Sequence, residues 1–399
     1  MRVLLSTYGT RGDVEPLVAL AVRLRELGVA VRMCAPPDPE FVERLAGQRI
    51  ELVPVGPAMR SLIGGTAPPS AADLSRYRTE LVHAQFEIFP TAAQGCDALV
   101  AAGLAQIGAR SVAEAAGIHY VYVSYSAVNL PSPHHAPPPR PGWPQPTVAD
   151  NLARWELDAR QVNEQFAETL NGHRASLGLA PVDNVRDHVY TDRPWLAADS
   201  ALGPWRTIPD LDVTQTGAWT LPDERPLPPE LETFLAGGEP PVYVGFGSVR
   251  PSPDIVDSAI HVIRAQGHRA LVPGGWAELV HDWDDCFAIG EVNQQRLFGR
   301  VAVVVHHGGA GTTLAAARAG VPQVVVALPV ADNPYWAGQV AELGVGAVPD
   351  GPAPTIEALG VAVRTAMAPE TRARATALGA RTRTDGASVA AHLLVEALG

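Results

Sequence analysis

The feature that most constrains the fold of this chain is an apolar run that enters a glycine-rich turn and then a helical stretch. Residues 301–305 are all valine or alanine, residues 308–311 are glycine or alanine, and an alanine-rich stretch follows at 314–319. A buried strand, a small-residue turn and a helix form the repeating unit of parallel α/β sheets. Because free backbone N–H groups and the positive end of the helix dipole meet at such a turn, the pattern predicts a phosphate site. An ordinary strand-to-helix turn is the alternative interpretation.

The side chains around this turn suit an anionic ligand. Small residues let a diphosphate approach the backbone, Thr312 and Thr313 carry hydroxyl donors, and His307 can add a proton or a charge. A Walker-type phosphate loop is excluded because it needs a lysine, and all 30 basic residues of this chain are arginine. The lack of lysine also excludes pyridoxal phosphate enzymes and Schiff-base mechanisms.

Strand and helix patterns alternate along the chain in two series. Apolar runs typical of buried strands lie at residues 3–6, 30–34, 52–55, 98–101 and 120–124, and again at 242–246, 270–272, 287–289, 301–305 and 323–327. The predicted fold class is α/β, with two doubly wound, Rossmann-like domains. We predict an N-terminal domain at 1–205, a linker at 206–228, a C-terminal domain at 229–375 and a C-terminal helix at 376–399 that packs back on the N-terminal domain.

Charge and composition exclude several classes of partner. The formal net charge is −12, and no arginine-rich tract is present, so we expect no binding to nucleic acid. No apolar run approaches the length of a membrane span, so we expect no membrane insertion. The three cysteines lie far apart, and the first residues form a strand pattern without a signal-peptide region. These features favour a cytoplasmic protein.

Five blocks of sequence, spread over the whole chain, resemble one enzyme family. They are residues 9–16 (GTRGDVEP), 215–219 (QTGAW), 244–248 (VGFGS), 290–293 (GEVN) and 306–313 (HHGGAGTT). In order and spacing they resemble the GT-B glycosyltransferases, and more narrowly the actinobacterial enzymes that decorate vancomycin- and teicoplanin-type glycopeptide antibiotics. The resemblance implies a nucleotide-sugar-dependent hexosyltransferase with its ligand cleft between the two domains.

The resemblance also implies which residues bind the nucleotide-sugar donor. The expected donor contacts are Arg11, Gly12, Ser248, Trp276, Val292, Asn293, His307, Gly309, Ala310, Gly311, Thr312 and Asn333. For Ser248 a strand cap, and for Trp276 plain packing, are equally good interpretations. Many UDP-sugar enzymes of this fold carry a ribose-binding glutamate at the position of Ala315. This departure favours a thymidine donor and leaves UDP open.

Asp13 and Asp332 are the predicted catalytic residues. Asp13 follows the first strand at the carboxyl edge of the sheet, and the resemblance implies that it is the general base. An N-cap is a strong alternative role, because Asp13 lies where a helix N-cap belongs, with Pro16 in the first turn. Arg11 and a helix N-terminus would also lower its pKa and make it a weaker base. Asp332 and Asn333 are expected to hydrogen-bond the donor sugar, with an Asx turn before Pro334 as the alternative. Related glucose-using enzymes often have glutamine where this chain has Asn333, so the sugar stays open.

The segment 131–146 contains eight prolines and is predicted to be an irregular loop. Its side chains His134, His135 and Trp143 are candidate contacts to the acceptor. Asp282 and Asp284 form an Asp-x-Asp pair of a kind that can bind a metal, but they lie among other charges, and a solvated loop is the favoured interpretation.

The predicted function is inverting transfer of a sugar from a TDP- or UDP-sugar to a hydroxyl of a glycopeptide (heptapeptide) aglycone. We expect no metal and no cofactor beyond the co-substrate. Two alternatives remain open at this stage, a nucleotide-sugar epimerase of the same fold and a non-catalytic auxiliary protein that binds the nucleotide sugar.

Overall fold

The computed structural model describes residues 1–63, 70–144, 147–247, 253–274, 283–351 and 353–399. The strands are β1 (Arg2–Thr7), β2 (Ala30–Ala35), β3 (Glu51–Pro54), β4 (Ala98–Ala102), β5 (His119–Ser124), β6 (Trp195–Leu196), β7 (Thr214–Gln215), β8 (Val242–Gly245), β9 (Ala270–Pro273), β10 (Cys286–Ile289), β11 (Val303–His306), β12 (Gln323–Val325) and β13 (Gly346–Ala347). The helices are α1 (Arg11–Glu26), α2 (Pro39–Gly47), α3 (Met59–Ile63), α4 (Ala71–Ala92), α5 (Ala109–Ala116), α6 (Asn151–Ser176), α7 (Val185–Tyr190), α8 (Pro229–Ala236), α9 (Pro253–Ala265), α10 (Gln294–Leu297), α11 (Ala310–Arg318), α12 (Asn333–Glu342), α13 (Ile356–Met367), α14 (Pro369–Gly379) and α15 (Gly386–Leu398).

The first sheet has the strand order β3-β2-β1-β4-β5-β6-β7, and all of its paired strands are parallel. Successive side chains of a strand point to opposite faces, and both faces of this sheet are covered. Val3 and Leu5 of β1 pack in one cluster with α1 and α15, whereas Leu4 packs in a second cluster with α4. This first sheet is therefore doubly wound, as predicted.

The second sheet has the order β10-β9-β8-β11-β12-β13 and is also parallel throughout. Val303 and Val305 of β11 pack against α9 and α13, whereas Val304 lies in a separate cluster with α8 and α11. The two sheets confirm the predicted α/β fold class.

The chain divides into two compact units. The first unit contains residues 1–200, 204–221 and 384–399, and the second contains 201–203 and 222–383. The stretch predicted as a linker, 206–228, is split between them, because β7 within it pairs with β6 of the first sheet. The return to the first unit comes at 384, later than the predicted 376, because α14 packs on α11 and only α15 packs on α1.

Each sheet has a point at which the direction of winding reverses. In the first sheet it lies between β1 and β4, and in the second between β8 and β11. In open parallel sheets, ligands bind at the carboxyl ends of the strands that flank such a point. The turns that follow β1 and β11 are therefore the places to look for a site.

Two further observations concern the C-terminal helices and the prediction on membrane insertion. The C-terminal helix predicted at 376–399 is the end of α14 followed by α15, with a break at residues 380–385. In the part of the chain that the structure describes, no helix combines the length and apolar character that crossing a membrane requires.

Candidate functional site

The turn between β11 and α11 leaves the helix N-terminus without a side-chain cap. β11 ends at His306, Gly309 is the N-cap residue with extended backbone angles, and its position offers no side-chain hydrogen bond to the helix. The first N–H groups of an α-helix have no intrahelical acceptor. The amides of Ala310, Gly311 and Thr312 are therefore available to an anion, and Gly311 has open space around the position of its missing side chain.

Gly308 gives this turn its shape. Its φ of +93° lies in the left-handed region. A Cβ atom at this position would lie 2.8 Å from the carbonyl oxygen of Asn333 and 3.1 Å from Cγ1 of Val325. Only glycine fits both constraints, so the start of α12 packs directly against the turn.

His307 lies against backbone rather than in open solvent. Its residue is 8% exposed, and a Cβ atom added to Gly309 would lie 2.5 Å from its Nε2 atom. Burial lowers the pKa of His307 to about 4. The imidazole is therefore neutral near pH 7. Of the two contributions expected from the sequence, a proton or a charge, His307 offers only the N–H proton. In the described part of the chain its buried Nδ1 atom has no hydrogen-bond partner.

The two threonines of the motif have different roles. The hydroxyl of Thr313 donates to the carbonyl oxygen of Gly309 at 2.9 Å, and the residue is fully buried. The expectation that Thr313 offers a donor to a ligand is therefore wrong, because a local bond within α11 already uses that hydroxyl. Thr312 is half-buried, and it stays a predicted donor-site residue.

Asp332 and Asn333 lie at the start of α12, beside the same turn. Asp332 occupies the N-cap position, and its Oδ2 atom accepts a hydrogen bond from the indole N–H of Trp336 at 2.7 Å. Pro334 belongs to the first turn of this helix, so the alternative of an isolated Asx turn does not apply. The structure thus brings Asn333 and Gly308 together, as the close approach of the Asn333 carbonyl shows.

Asn293 is committed to a structural role through its side chain. It is 1% exposed, its Nδ2 atom donates to the carbonyls of Asp223 and Arg225 at 2.7 and 2.8 Å, and its Oδ1 atom accepts from the N–H of Arg296 at 3.1 Å. The predicted contact with the nucleotide base is therefore limited to the backbone of Asn293. Val292 is partly buried against the adjoining core cluster.

Three of the sequence predictions concern residues outside the described part of the chain. Ser248 and Trp276 were expected at the donor site, and Asp282 belongs to the Asp-x-Asp pair. Among the described residues, no group of three or more histidine, cysteine, aspartate or glutamate side chains could hold a metal ion.

Asp13 occupies the corresponding turn of the first unit. It is the third residue of α1 rather than its N-cap, which is Thr10. Its Oδ2 atom accepts a hydrogen bond from the backbone N–H of Thr10 at 2.8 Å. The expectation that Asp13 is the N-cap residue is therefore wrong. Its carboxylate still caps the helix, but from the third helical position, as in a capping box.

Glycines of the turns after β1 and β4 lie close to the Asp13 carboxylate. A Cβ atom on Gly9 would lie 2.1 Å from Oδ2, and one on Gly103, which follows β4, would lie 3.7 Å from Oδ1. The hydroxyl of Tyr125, after β5, donates to the backbone carbonyl of Asp13 at 2.9 Å. The half-buried carboxylate is thus fixed at the reversal point of the first sheet.

Arg11 and Gly12 lie in the first turn of α1. The guanidinium of Arg11 is 42% exposed and lies 3.9 Å from the carboxylate of Glu15, which also pairs with Arg44 at 2.8 Å. Gly12 is exposed. Their predicted contact with the donor stays a prediction.

The proline-rich segment is irregular, as predicted, in its described residues 131–144, and two of its three candidate side chains face the protein. His135 packs edge-on against Trp155 with ring centroids 6.0 Å apart, and burial lowers its pKa. Trp143 lies under the guanidinium groups of Arg78 and Arg140, at 5.4 and 5.0 Å. His134 is exposed, so it is the candidate most accessible to an acceptor.

His306 and Gln323 have no role predicted from the sequence. His306 is fully buried and hydrogen-bonds both the turn and Gln323, which begins β12. The signal was present in the sequence, since neighbouring residues at a strand end point to opposite sides, and two adjacent histidines therefore cannot share one role.

Comparison with known proteins agrees with this geometry. Residues 3–130 match the glycosyltransferase family 28 N-terminal domain, and residues 284–389 match the erythromycin biosynthesis protein CIII-like C-terminal domain. The chain is 53% identical to a vancomycin aglycone glucosyltransferase of Amycolatopsis orientalis, over 100% of this chain and 98% of that protein. It is 50% identical to a dTDP-epi-vancosaminyltransferase of the same organism, over 94% of this chain and 92% of that protein.

A solved structure shares the fold. The glycosyltransferase of kitacinnamycin superimposes with a TM-score of 0.77 at 19% identity, covering 100% of this chain and 99% of that one. Because the relatives of high identity are transferases, the two alternatives of an epimerase and an auxiliary protein are not supported. The chain belongs to the GT-B glycosyltransferases of the vancomycin and teicoplanin glycopeptide-antibiotic type.

Proposed function

We propose that this enzyme transfers a sugar, with inversion and without a metal, from a nucleoside diphosphate sugar to a hydroxyl of a vancomycin-type heptapeptide aglycone. The observation that carries the proposal is the uncapped N-terminus of α11, with its open amides at Ala310–Thr312 and the neutral, buried imidazole of His307 beside them. The name of the vancomycin aglycone glucosyltransferase relative supports the acceptor class.

The turn after β11 would stabilise the leaving diphosphate. Backbone N–H groups at a helix N-terminus bind phosphate oxygens, and the helix dipole favours the negative charge. Such preorganised donors act on charge that develops in the transition state, which is the contribution a metal ion would otherwise make. Asn333 and Asp332 are proposed to hold the sugar hydroxyls next to this turn.

The proposed nucleotide is thymidine diphosphate. The position of a ribose-binding glutamate in many UDP-sugar enzymes is Ala315 here, which is half-buried and packs against the core. A methyl group cannot accept a hydrogen bond from a ribose 2′-hydroxyl. The name of the dTDP-epi-vancosaminyltransferase relative points the same way.

Asp13 is the proposed base. The acceptor O–H gives its proton to the Asp13 carboxylate, and the freed oxygen lone pair forms a bond to the anomeric carbon. The bond from that carbon to the diphosphate breaks, and its electron pair leaves with the phosphate oxygen. Attack from the face opposite the leaving group inverts the anomeric configuration.

Product analysis tests the reaction directly. The purified enzyme is mixed with a vancomycin-type aglycone and with a series of dTDP- and UDP-sugars, in the presence and absence of EDTA. We expect a mass increase of one sugar, the inverted anomer by NMR, a preference for dTDP-sugars and a rate insensitive to EDTA. Retention of configuration or loss of activity with EDTA would contradict the mechanism.

A pair of glycine variants tests the diphosphate site. Gly311 and Gly338 are both exposed helical glycines with open space around them, but only Gly311 lies in the first turn of α11. Gly311→Ala places a methyl group where the diphosphate would approach, so we expect weaker binding of dTDP by calorimetry, about tenfold or more. Gly338→Ala is the matched control and should bind dTDP as the wild type does. Equal dTDP affinity of the two variants would show that the diphosphate does not bind at this turn.

A further inference from the structure

His306 is a buried histidine that cannot reach a ligand directly. It is the last residue of β11, has no exposed surface, and its ring stands edge-on to that of His307 with centroids 6.5 Å apart. Its two ring nitrogens are both engaged within the protein. The backbone N–H of Gly308 donates to Nδ1 at 3.1 Å, and Nε2 lies 2.9 Å from Oε1 of Gln323.

These two bonds determine the tautomer of His306. A backbone N–H can only donate, so Nδ1 must carry a lone pair rather than a hydrogen. The single ring proton is then on Nε2, which donates to the Gln323 oxygen. This assignment agrees with burial, which lowers the pKa of His306 to about 3 and keeps the ring neutral.

The bond to Nδ1 acts on the residue that shapes the turn. Gly308 has a φ of +93° and packs against Asn333, so the orientation of its peptide groups decides where the following amides point. A buried N–H without an acceptor would destabilise this conformation of the turn. His306 therefore supplies an acceptor for the Gly308 N–H at the one place where the strand ends and the turn begins.

We propose that His306 is a positioning residue: held in its Nε2–H form by Gln323, it orients Gly308, and the turn binds a nucleoside diphosphate only while His306 stays neutral. This inference rests on the proposed donor site. A protonated ring would direct an Nδ1–H toward the Gly308 N–H, and two donors facing each other would force the turn open.

The groups around His306 are neutral near pH 7. His307 lowers its pKa further, and burial lowers the pKa of His307 itself. On the neighbouring strand β8, burial raises the pKa of Tyr243, so that phenol is uncharged. On β12 the partner is the uncharged amide of Gln323. The hydrogen bond with Gln323 acts in the opposite direction and raises the pKa of His306, but burial is the larger effect and keeps the ring neutral in the native protein.

Replacing Gln323 by glutamate gives the sharpest test. A carboxylate that accepts the Nε2–H bond stabilises a charged imidazole and raises the pKa of His306. Titration of dTDP into Gln323→Glu at pH 5.5 and 8.5 should show an affinity that falls about tenfold or more at the lower pH, relative to the change in the wild type. Gln323→Leu is the matched control and should add no such pH dependence. Parallel pH profiles for Gln323→Glu and the wild type would overturn the proposal.

A second pair of variants covers the case in which Gln323→Glu does not fold. The side-chain oxygen of asparagine can replace Nδ1 as the acceptor, whereas leucine cannot. We expect His306→Asn to bind dTDP within about threefold of the wild type and His306→Leu to lose about tenfold or more. Equal binding by both would contradict the positioning role.

The tautomer itself can be observed without any ligand. In 15N-histidine-labelled wild-type protein, we expect one ring to show an unprotonated Nδ1 and a protonated Nε2 that do not change between pH 5.5 and 8.5, and this signal should vanish in His306→Asn. The opposite tautomer would overturn the inference. If the wild type bound no dTDP at any pH, the donor site would fail, while this spectrum would still test the His306 assignment.

Discussion

The turns after β1 and β11 have the same length and opposite chemistry. β1 ends at Thr7 and its helix has Thr10 as N-cap, whereas β11 ends at His306 and its helix has Gly309 as N-cap. The third helical residue is Asp13 in the first turn and Thr312 in the second. In the first turn, the Asp13 carboxylate occupies the helix N-terminus, whereas in the second no side chain of a described residue caps the helix.

This difference separates the proposed roles of the two turns, although both have the same strand-turn-helix architecture. A helix N-terminus attracts negative charge, and the chain either supplies that charge or leaves the place to a ligand. Asp13 satisfies the N–H of Thr10 at 2.8 Å and is thereby held in one orientation, as a catalytic carboxylate must be. The residues of the second turn itself, His307–Gly309, are small or neutral, and no side chain of a described residue caps the helix there, which suits the proposed diphosphate.

The largest effect is expected from Asp13→Asn. Asparagine can still accept the hydrogen bond from Thr10 but is not a base, so the variant separates capping from catalysis. The turnover number should fall by about 10²–10⁴, which is the usual contribution of a general base. Steady-state kinetics with aglycone and donor measure this effect.

The controls for this variant are its melting temperature and its affinity for dTDP, both of which should stay close to the wild type. Near-normal turnover would show that the carboxylate serves only as a cap. A large loss of stability would show that the asparagine does not preserve the cap and that the comparison with the second turn needs a different variant.

The second largest effect is expected from Thr312→Asp, which gives the second turn the carboxylate of the first. The new charge would occupy the amides of α11 and repel a diphosphate, at about 4 kcal/mol for two unit charges 4 Å apart near a protein surface. We expect dTDP affinity to fall about 100-fold or more by calorimetry, while the melting temperature stays equal or rises because the helix gains a cap. Unchanged affinity would mean that the diphosphate binds elsewhere.

A smaller effect is expected from His307→Ala. The variant removes one neutral N–H donor beside the turn, and a hydrogen bond to a charged group contributes about 1.5–3 kcal/mol. Donor KM and dTDP dissociation constant should rise about tenfold, and turnover should fall together with affinity. Kinetics indistinguishable from the wild type would exclude His307 from the phosphate site.

The last prediction concerns stability and its dependence on pH rather than binding or turnover. The second turn carries two buried histidines whose pKa values lie at about 3 and about 4, below the ordinary value of 6.5. Below pH 6.5 these two histidines bind protons in the unfolded chain but not in the native one. The stability that their neutral form contributes is therefore fully present above pH 6.5 and is lost as the pH falls. Each histidine should cost about 1.4 kcal/mol per pH unit between about pH 6 and 4.

Urea unfolding at pH 7, 6 and 5 measures this slope. His188 in the first unit, whose pKa burial lowers to about 4, contributes a slope of the same sign, so the comparison must be made between variants. The double variant His306→Asn, His307→Gln should lose stability less steeply with falling pH than the wild type. Identical slopes would mean that these rings are not buried in the neutral form.

Much of the fold could be predicted from local sequence because its strands are short apolar runs. β2, β4, β5 and β10 lie within one residue of their predicted bounds. The alternation of these runs with helical patterns allows few architectures, and the parallel sheets follow from it. β7 was missed because a two-residue strand, Thr214–Gln215, carries no periodicity.

The candidate site could be predicted only in part, because hydrogen-bond partners distant in sequence decide what a side chain can do. No sequence pattern near Asn293 indicates that its side-chain amide donates to the carbonyls of Asp223 and Arg225. His135 likewise looks free in the proline-rich segment, yet it packs against Trp155 from α6. The positions of the two turns could be predicted, since their glycines are local signals. The cap of α1 was predicted only approximately, because its N-cap is Thr10 and Asp13 is the third helical residue.

The most direct test of the account is a spectrum of 15N-glycine-labelled enzyme titrated with dTDP. Resonances of Gly309 and Gly311, assigned by single substitutions, report on the second turn, and those of Gly9 and Gly103 report on the surroundings of Asp13. We predict that dTDP shifts Gly309 and Gly311 and leaves Gly9 and Gly103 in place. Shifts confined to Gly9 and Gly103 would contradict the assignment of the diphosphate to the uncapped helix α11.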